Sequence, residues 1–310
     1  MTQTLGFVGL GVMGEKMCRN LARKSGKKVY AFDQRPGRTD LLEADGVIAA
    51  TSLADLAQKA DVIFLSLPGQ VEVRAVCTGP GGLLEHGRAG QTIVDTSTNT
   101  VRCVRDVARQ LATRGIEFAD APVSRTREAA AEGTLSIMVG ATPEVMARIK
   151  DFLHCMGSDV THCGGVGTGE VLKIINNMLN IEGNLAVAEA LTLGSRAGLD
   201  PKALLETVAD SSGSSFVVKQ HGLKFMVPRN FPKEAFSCHY ALKDLSYALE
   251  LGEDTGVRLD VALLTTAYLN QAVAAGLGDV YFPTIIKMVE EGQSHLDKVL
   301  DKVLGEGAGG

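Results

Sequence analysis

The chain has 310 residues, 45% of them apolar, with a formal net charge of −5 and a sequence pI of about 5.7. That length suits two hydrophobic cores better than one, and the apolar share is sufficient for both. The acidic balance and the lack of any Lys/Arg-rich run speak against nucleic acid or a charged membrane surface as partners, and no apolar stretch approaches the ~20 residues needed to cross a bilayer.

Met1 to Gly6 runs directly into a strand pattern without a basic leader, so a cytoplasmic protein is expected. Leu5–Val8 is a short apolar run, followed by a glycine-rich turn and the helical stretch Gly14–Lys24. Lys28–Phe32, Val62–Leu67, Thr92–Val94, Glu117–Ala119 and Leu135–Val139 read as further strands with helical patterns between them. Strands alternating with helices predict an α/β, doubly wound parallel sheet covered on both faces. Near Gly164 the pattern changes. From about 168 to 197 apolar residues recur at helical spacing, and further helices are predicted at 201–209, 216–227, 239–255, 260–275, 279–291 and, amphipathically, 294–304. The expected organisation is a dinucleotide-binding domain over 1–163, an all-α domain over 164–304 joined to it by the long helix, and a flexible tail over 305–310.

Six cysteines, at 18, 77, 103, 155, 163 and 238, show no CxxC spacing and read as reduced thiols. Cys155, His162 and Cys163 have no fourth ligand at a sensible spacing, so no metal is expected.

Three features point to chemistry. Gly9-Leu10-Gly11-Val12-Met13-Gly14 follows a strand and opens a helix, the context that makes a GxGxxG pattern informative. Gly9 permits the tight turn, Gly11 close approach of a pyrophosphate, and Gly14 helix–strand packing, with the diphosphate on the helix N-terminus. Asp33 ends the second strand, 19 residues after Gly14. A carboxylate there accepts from both ribose hydroxyls of NAD and repels a 2′-phosphate. Arg35 and Arg38 could accommodate that phosphate, so NAD is expected and NADP is the less favoured cofactor.

In the long helix, Lys173, Asn177, Asn180 and Asn184 fall at i, i+4, i+7 and i+11, one polar ridge on a largely apolar helix. If buried, the ridge must face a polar cavity, where an amine whose charged form is disfavoured by burial could exchange a proton with a substrate oxygen. The alternative is a solvated helix face. Finally, Asp120-Ala121-Pro122-Val123-Ser124-Arg125-Thr126 follows a strand. Its hydroxyls and backbone N–H groups could cradle an acid group, with Arg125 as a fork for carboxylate, sulfonate or phosphate. A polar loop with an exposed arginine is the plainer possibility.

Four ordered segments, GFVGLGVMG (6–14), DAPVSRTREAAAEGTLSIMVG (120–140), GVGTGEVLKIINN (165–177) and KDL (243–245), resemble the β-hydroxyacid dehydrogenase family, which includes 3-hydroxyisobutyrate dehydrogenases and tartronate semialdehyde reductases. The resemblance implies a Rossmann-type first domain, a helical second domain that forms a homodimer or homotetramer, and hydride transfer between nicotinamide and a small hydroxy acid. It implies Lys173 as catalytic acid/base. Ser124, Asn176, Asn177 and Asn180 fall with the substrate contacts, together with Arg125 and Thr126. Leu10, Val12, Met13, Asp33, Gln34, Leu67, Pro68 and Thr98 fall with the cofactor contacts, and Lys243 closes over cofactor and substrate. Most members carry Ser-Gly-Gly where this chain has Ser124-Arg125-Thr126. The arginine resembles that of sulfolactaldehyde reductases, which grips a sulfonate, although those enzymes carry glycine in place of Ser124. The competing functions are imine reduction, whose enzymes usually lack the lysine, and a non-catalytic dinucleotide-binding module.

Overall fold

The computed structural model describes residues 3–233 and 235–292, and the helix and tail expected over 294–304 and 305–310 lie outside them. The chain divides into two compact units, Met1–Lys173 and Ile174–Gly310. The boundary between these units lies inside the long helix Thr168–Arg196.

The first unit runs β1 (Leu5–Val8), α1 (Gly14–Lys24), β2 (Val29–Phe32), β3 (Val47–Ala49), α2 (Leu53–Lys59), β4 (Val62–Leu65), α3 (Gln70–Thr78), α4 (Leu83–His86), β5 (Thr92–Asp95), α5 (Val101–Ala112), β6 (Glu117–Asp120), β7 (Val123–Ser124), α6 (Arg127–Glu132), β8 (Leu135–Gly140), α7 (Pro143–His154) and β9 (Gly157–Gly164). The sheet order is β3-β2-β1-β4-β5-β6-β8-β7, with β9 on β8. The first six strands are parallel, the order of a Rossmann-type dinucleotide-binding sheet. Successive residues of these strands feed opposite faces. Phe7, Val62, Phe64 and Val94 enter one core with Met17, Leu21 and Phe152, while Val8, Ile63, Leu65 and Ile93 enter the other with Val73, Val104 and Leu111. Because helices cover both faces, β1 and β4 read as continuous apolar runs without alternation.

Three strands carry no apolar period in the sequence. β3 and β7 have only three and two residues, too short to carry a period. β9 is polar and mostly exposed, held by parallel pairing to β8 rather than by burial, so it carries no apolar signal. The run expected to reach Leu67 stops pairing at Leu65, where the chain turns out of the sheet.

Helix α8 (Thr168–Arg196) continues into the second unit, followed by α9 (Pro201–Ala209), a π-helical segment Val217–Met226, α10 (Cys238–Thr255), α11 (Asp260–Ala272) and α12 (Ile286–Glu291). Asp200 caps α9 by accepting from the Ala203 N–H, with Pro201 at its first turn. Ile181, Leu185, Leu205, Met226, Leu245, Leu269 and Phe282 form its core. The helix expected over 260–275 gives way after Ala272 to a π-turn, and Gly276 leaves helical geometry at φ +78°. The one expected over 279–291 is split into a 3₁₀ turn at Phe282–Ile285 and α12, with Pro283 in the first turn. Among the described residues no helix is long and apolar enough to cross a membrane, and no cluster of His, Cys, Asp and Glu could hold a metal ion. His162 lies instead with its Nε2 at 2.9 Å from the Ala141 carbonyl.

Candidate active site

The parallel strands deliver most of the expected cofactor residues to their carboxyl ends. Gly9 leaves β1 at φ +92°, and a Cβ there would meet the Ser66 carbonyl after β4. A Cβ on Gly14 would meet the Gly9 carbonyl, so helix and turn touch through glycine alone. Gly11 differs: a Cβ there has nothing within 4 Å. The protein itself does not require glycine at that position, and the free space lies over the N-terminus of α1, which no side chain caps. An uncapped helix start with open space above it fits a diphosphate. Leu10 is buried and Val12 half exposed, with Met13 between those extremes.

Asp33 follows β2. It accepts from the Leu10 N–H at 2.7 Å, and from Arg35 through the backbone N–H and Nε, both at 2.9 Å. Partial burial opposes its charge, but the Arg35 guanidinium and these N–H donors outweigh it and hold the carboxyl at about 2. Arg38 donates to the Leu10 carbonyl at 2.7 Å, which pins the glycine turn to the segment after β2. Gln34 and Pro68 are exposed. Leu67, after β4, donates its N–H to Ser97 Oγ at 2.9 Å, beside Thr98 in the turn after β5.

Next to these turns lies a group that sequence reading missed. Asp95, Asp120 and Glu170 are all fully buried. Asp95 accepts from the Ser97 N–H at 3.0 Å and the Asn99 amide at 2.8 Å. Asp120 accepts from the Gly167 and Glu170 N–H groups at 2.6 and 2.9 Å, so the end of β6 ties down the first turn of α8. Glu170 Oε1 accepts from the Asn99 N–H at 2.9 Å. Burial raises Asp95 and Asp120 to about 6 despite these donors, and burial followed by the charges of Asp120 and Asp95 carries Glu170 well above the usual carboxyl range. Lys173, only 8% exposed, follows Glu170 by three residues on the same helix. The available signal was that TIVD and EFAD each close an apolar strand on an acid.

The 124–126 loop is arranged differently from the expectation of an open fork. Ser124 pairs with Ser136 of β8, and Thr126 caps α6 by accepting from the Ala129 N–H. Arg125 stands at φ +90°, a conformation that disfavours a side chain. Its guanidinium donates to the Thr134 carbonyl at 2.6 Å, to Ser158 Oγ at 2.9 Å and to the Asp159 carboxylate at 2.6 Å. The fork is therefore turned onto β9.

In the second unit, the polar ridge of α8 is largely inside. Asn177 (9% exposed) donates to Asp244 Oδ2 at 2.5 Å and accepts from the exposed Asn176 amide at 3.1 Å. Its amide orientation is thereby fixed. Lys243 Nζ is 3.3 Å from the other oxygen of Asp244 and lies over the Tyr240 and Tyr247 rings. Asn180 has its Oδ1 buried without a hydrogen-bond partner. Asn184 has a structural partner instead, His221, whose Nδ1 lies 2.8 Å from its amide and whose other ring nitrogen meets the Tyr281 hydroxyl at 3.0 Å. The ridge thus splits into an upper part with unsatisfied or orienting amides and a lower part sealed in the core.

Two family models match successive parts of the chain. Residues 4–165 match the NAD-binding domain of 6-phosphogluconate dehydrogenase, and residues 167–289 match the NAD-binding region of NADP-dependent 3-hydroxyisobutyrate dehydrogenase. The chain is 37% identical to 2-(hydroxymethyl)glutarate dehydrogenase of Eubacterium barkeri over 93% of its own length and 95% of that protein. It is 33% identical to the mitochondrial 3-hydroxyisobutyrate dehydrogenase of Mus musculus over 93% and 87% of the two chains. Among solved structures, Mycobacterium tuberculosis 3-hydroxyisobutyrate dehydrogenase with L-serine superposes with a TM-score of 0.84 at 28% identity, covering 93% of this chain and 99% of that one.

Proposed function

This chain belongs to the β-hydroxyacid dehydrogenase family and is an NAD(P)-dependent oxidoreductase of hydroxy acids, and from that premise we propose that it interconverts a small 3-hydroxy acid and its semialdehyde through Lys173. The observation that carries this reading is a nearly buried amine on α8 with an oriented amide, Asn177, one turn further on. When bound, NAD accepts or supplies the hydride at the carbinol carbon. Lys173 Nζ takes the hydroxyl proton in oxidation and returns it to the carbonyl oxygen in reduction. Asn177 has an amide N–H left beyond its bond to Asp244, and Ser124 ends β7. These two hold the acid group and hydroxyl so that the reacting atoms are aligned, which is where much of the rate originates.

Asp33 favours NAD over NADP by accepting from the ribose hydroxyls. Lys243, over the Tyr240 and Tyr247 rings, is the lysine that the family resemblance assigns to cofactor and substrate. Arg125 reads a second anionic group on the substrate, a carboxylate or sulfonate, after exchanging it for the exposed Asp159. The exchange costs little, because exposed ion pairs contribute only ~0–1 kcal/mol. Leu179 and Leu193 on α8 are 61% and 72% exposed, and a homo-oligomer would cover them. Light scattering of a Leu193→Lys variant checks that point, with a fall in mass expected.

The activity test follows NADH absorbance across 3-hydroxyisobutyrate, glycerate, threonate, a hydroxymethyl dicarboxylate and 2,3-dihydroxypropane sulfonate. Turnover lost in Lys173→Ala, with NADH binding retained, supports the reading. No turnover with any acid despite cofactor binding refutes it.

A further inference from the structure

Among the described residues of the first unit, Glu170 is the fully buried acid for which one carboxyl oxygen is paired and the other, Oε2, has no hydrogen-bond partner. Asn99, which donates its backbone N–H to Glu170, also buries a side-chain oxygen, Oδ1, without a partner. Two acceptors on adjoining residues therefore lack a donor in a place that excludes water. Such groups are costly to leave unmade unless a donor reaches them in some state of the protein. The cationic donor on the same helix is Lys173, at i+3 from Glu170, a spacing that puts Cβ atoms ~5–6 Å apart on one face.

The charges around Glu170 in the first unit reinforce this pairing. Asp95 comes from β5, Asp120 from β6, and the Cys103 thiol from α5, while Lys173 is on its own helix. Asp95 and Asp120 each have two donors of their own, so their negative charge is locally satisfied. Glu170 has one. Of the three acids it is the one whose charge depends on an external cation, and an ammonium buried beside it depends equally on an anion.

We propose that Glu170 is a positioning residue that acts through Lys173: the two share one proton, and the carboxylate supplies the counter-charge whenever Lys173 is an ammonium. This rests on the reading of Lys173 as the acid/base. In reduction, Lys173 Nζ gives its proton to the substrate oxygen as the C–H bond forms. The pair is then one proton short, that proton is restored before the next turnover, and one proton is consumed per turnover. Oxidation runs the same steps backwards. The consequence is that the pH at which Lys173 becomes a competent base is set by Glu170.

The test is the pH profile of kcat/KM for oxidation in wild type and Glu170→Gln. The amide keeps an acceptor for the Asn99 N–H but can never carry charge. The rising limb is expected to move to lower pH by about 1–3 units, the range by which an opposite charge within 4–6 Å shifts a group. The descending limb for reduction should move by the same amount, with KM for NAD unchanged. A second readout needs no turnover: the lysine resonance of reductively methylated protein that is missing in Lys173→Ala should titrate at correspondingly lower pH in Glu170→Gln. If Glu170→Gln fails to fold, Glu170→Asp, which retains the charge, should keep the limb where wild type has it. Limbs and resonance unmoved in Glu170→Gln, while Lys173→Ala is inactive, overturn the proposal alone. A pH limb that survives in Lys173→Ala overturns the acid/base reading itself.

Discussion

Replacing Asp33 by Asn removes a charge while leaving an acceptor for the Leu10 N–H, so the glycine turn keeps its anchor. In wild type the carboxylate is held at about 2 and is therefore ionised throughout any assay range. Two hydrogen bonds from ribose hydroxyls to a charged acceptor contribute ~1.5–3 kcal/mol each, and the amide recovers part of one. The net loss is ~2–4 kcal/mol, a rise in the NAD dissociation constant of about 30- to 1,000-fold at 1.4 kcal/mol per decade. NADP behaves oppositely. Arg35, whose guanidinium is now spent on Asp33 at 2.9 Å, is released to meet a 2′-phosphate, so NADP should bind more tightly in the variant than in wild type. NADH and NADPH fluorescence titrations measure both constants without substrate. An unchanged NAD/NADP affinity ratio in Asp33→Asn would refute the assignment of this carboxylate to the ribose.

Gly11 and Gly14 should separate binding from folding. Gly11→Ala meets nothing within 4 Å, so its melting temperature should match wild type while NADH affinity falls at least tenfold; Gly14→Ala forces Cβ into the Gly9 carbonyl and should lower the melting temperature by several degrees. His221, held down to about 4 by burial, is a base with a depressed proton affinity, so the unfolded chain binds its proton first. Its contribution is full above the ordinary value of 6.5 and is lost as pH falls towards about 4, by roughly 3 kcal/mol. In urea titrations, the stability gap between wild type and His221→Gln should narrow across that interval, and a constant gap would contradict the buried neutral ring. Asp159→Asn releases Arg125 from its ion pair. Stability should change by under ~1 kcal/mol, and steady-state kinetics should show KM falling for a dianionic hydroxy acid but not for 3-hydroxyisobutyrate. Equal KM changes for both would remove Arg125 from substrate recognition.

Much of the nucleotide end was legible because its determinants are local. A strand, a GxGxxG turn and a helix follow one another without a break from Leu5 to Lys24, and Asp33 follows the next strand. The long helix and its ridge were legible for the same reason, since spacing alone fixes which residues share a face. The ridge's division was not. Asn184 and Asn177 look alike in the sequence, yet one meets His221 and the other Asp244.

Local sequence, then, determined the alternating α/β pattern, the glycine turn, the acid after β2 and the face on which Lys173 stands, because each depends on residues within one or two turns of chain. Tertiary structure alone decided what those groups touch. It brought Asp95, Asp120 and Glu170 together from two strands and a helix, and it turned Arg125 onto Asp159, thirty-four residues away. It also held β9 in the sheet by pairing, without an apolar face. The physical reason is common to all three. A buried charge, an ion pair and an edge strand are defined by their partners, and no pattern in a single segment records a partner contributed by another.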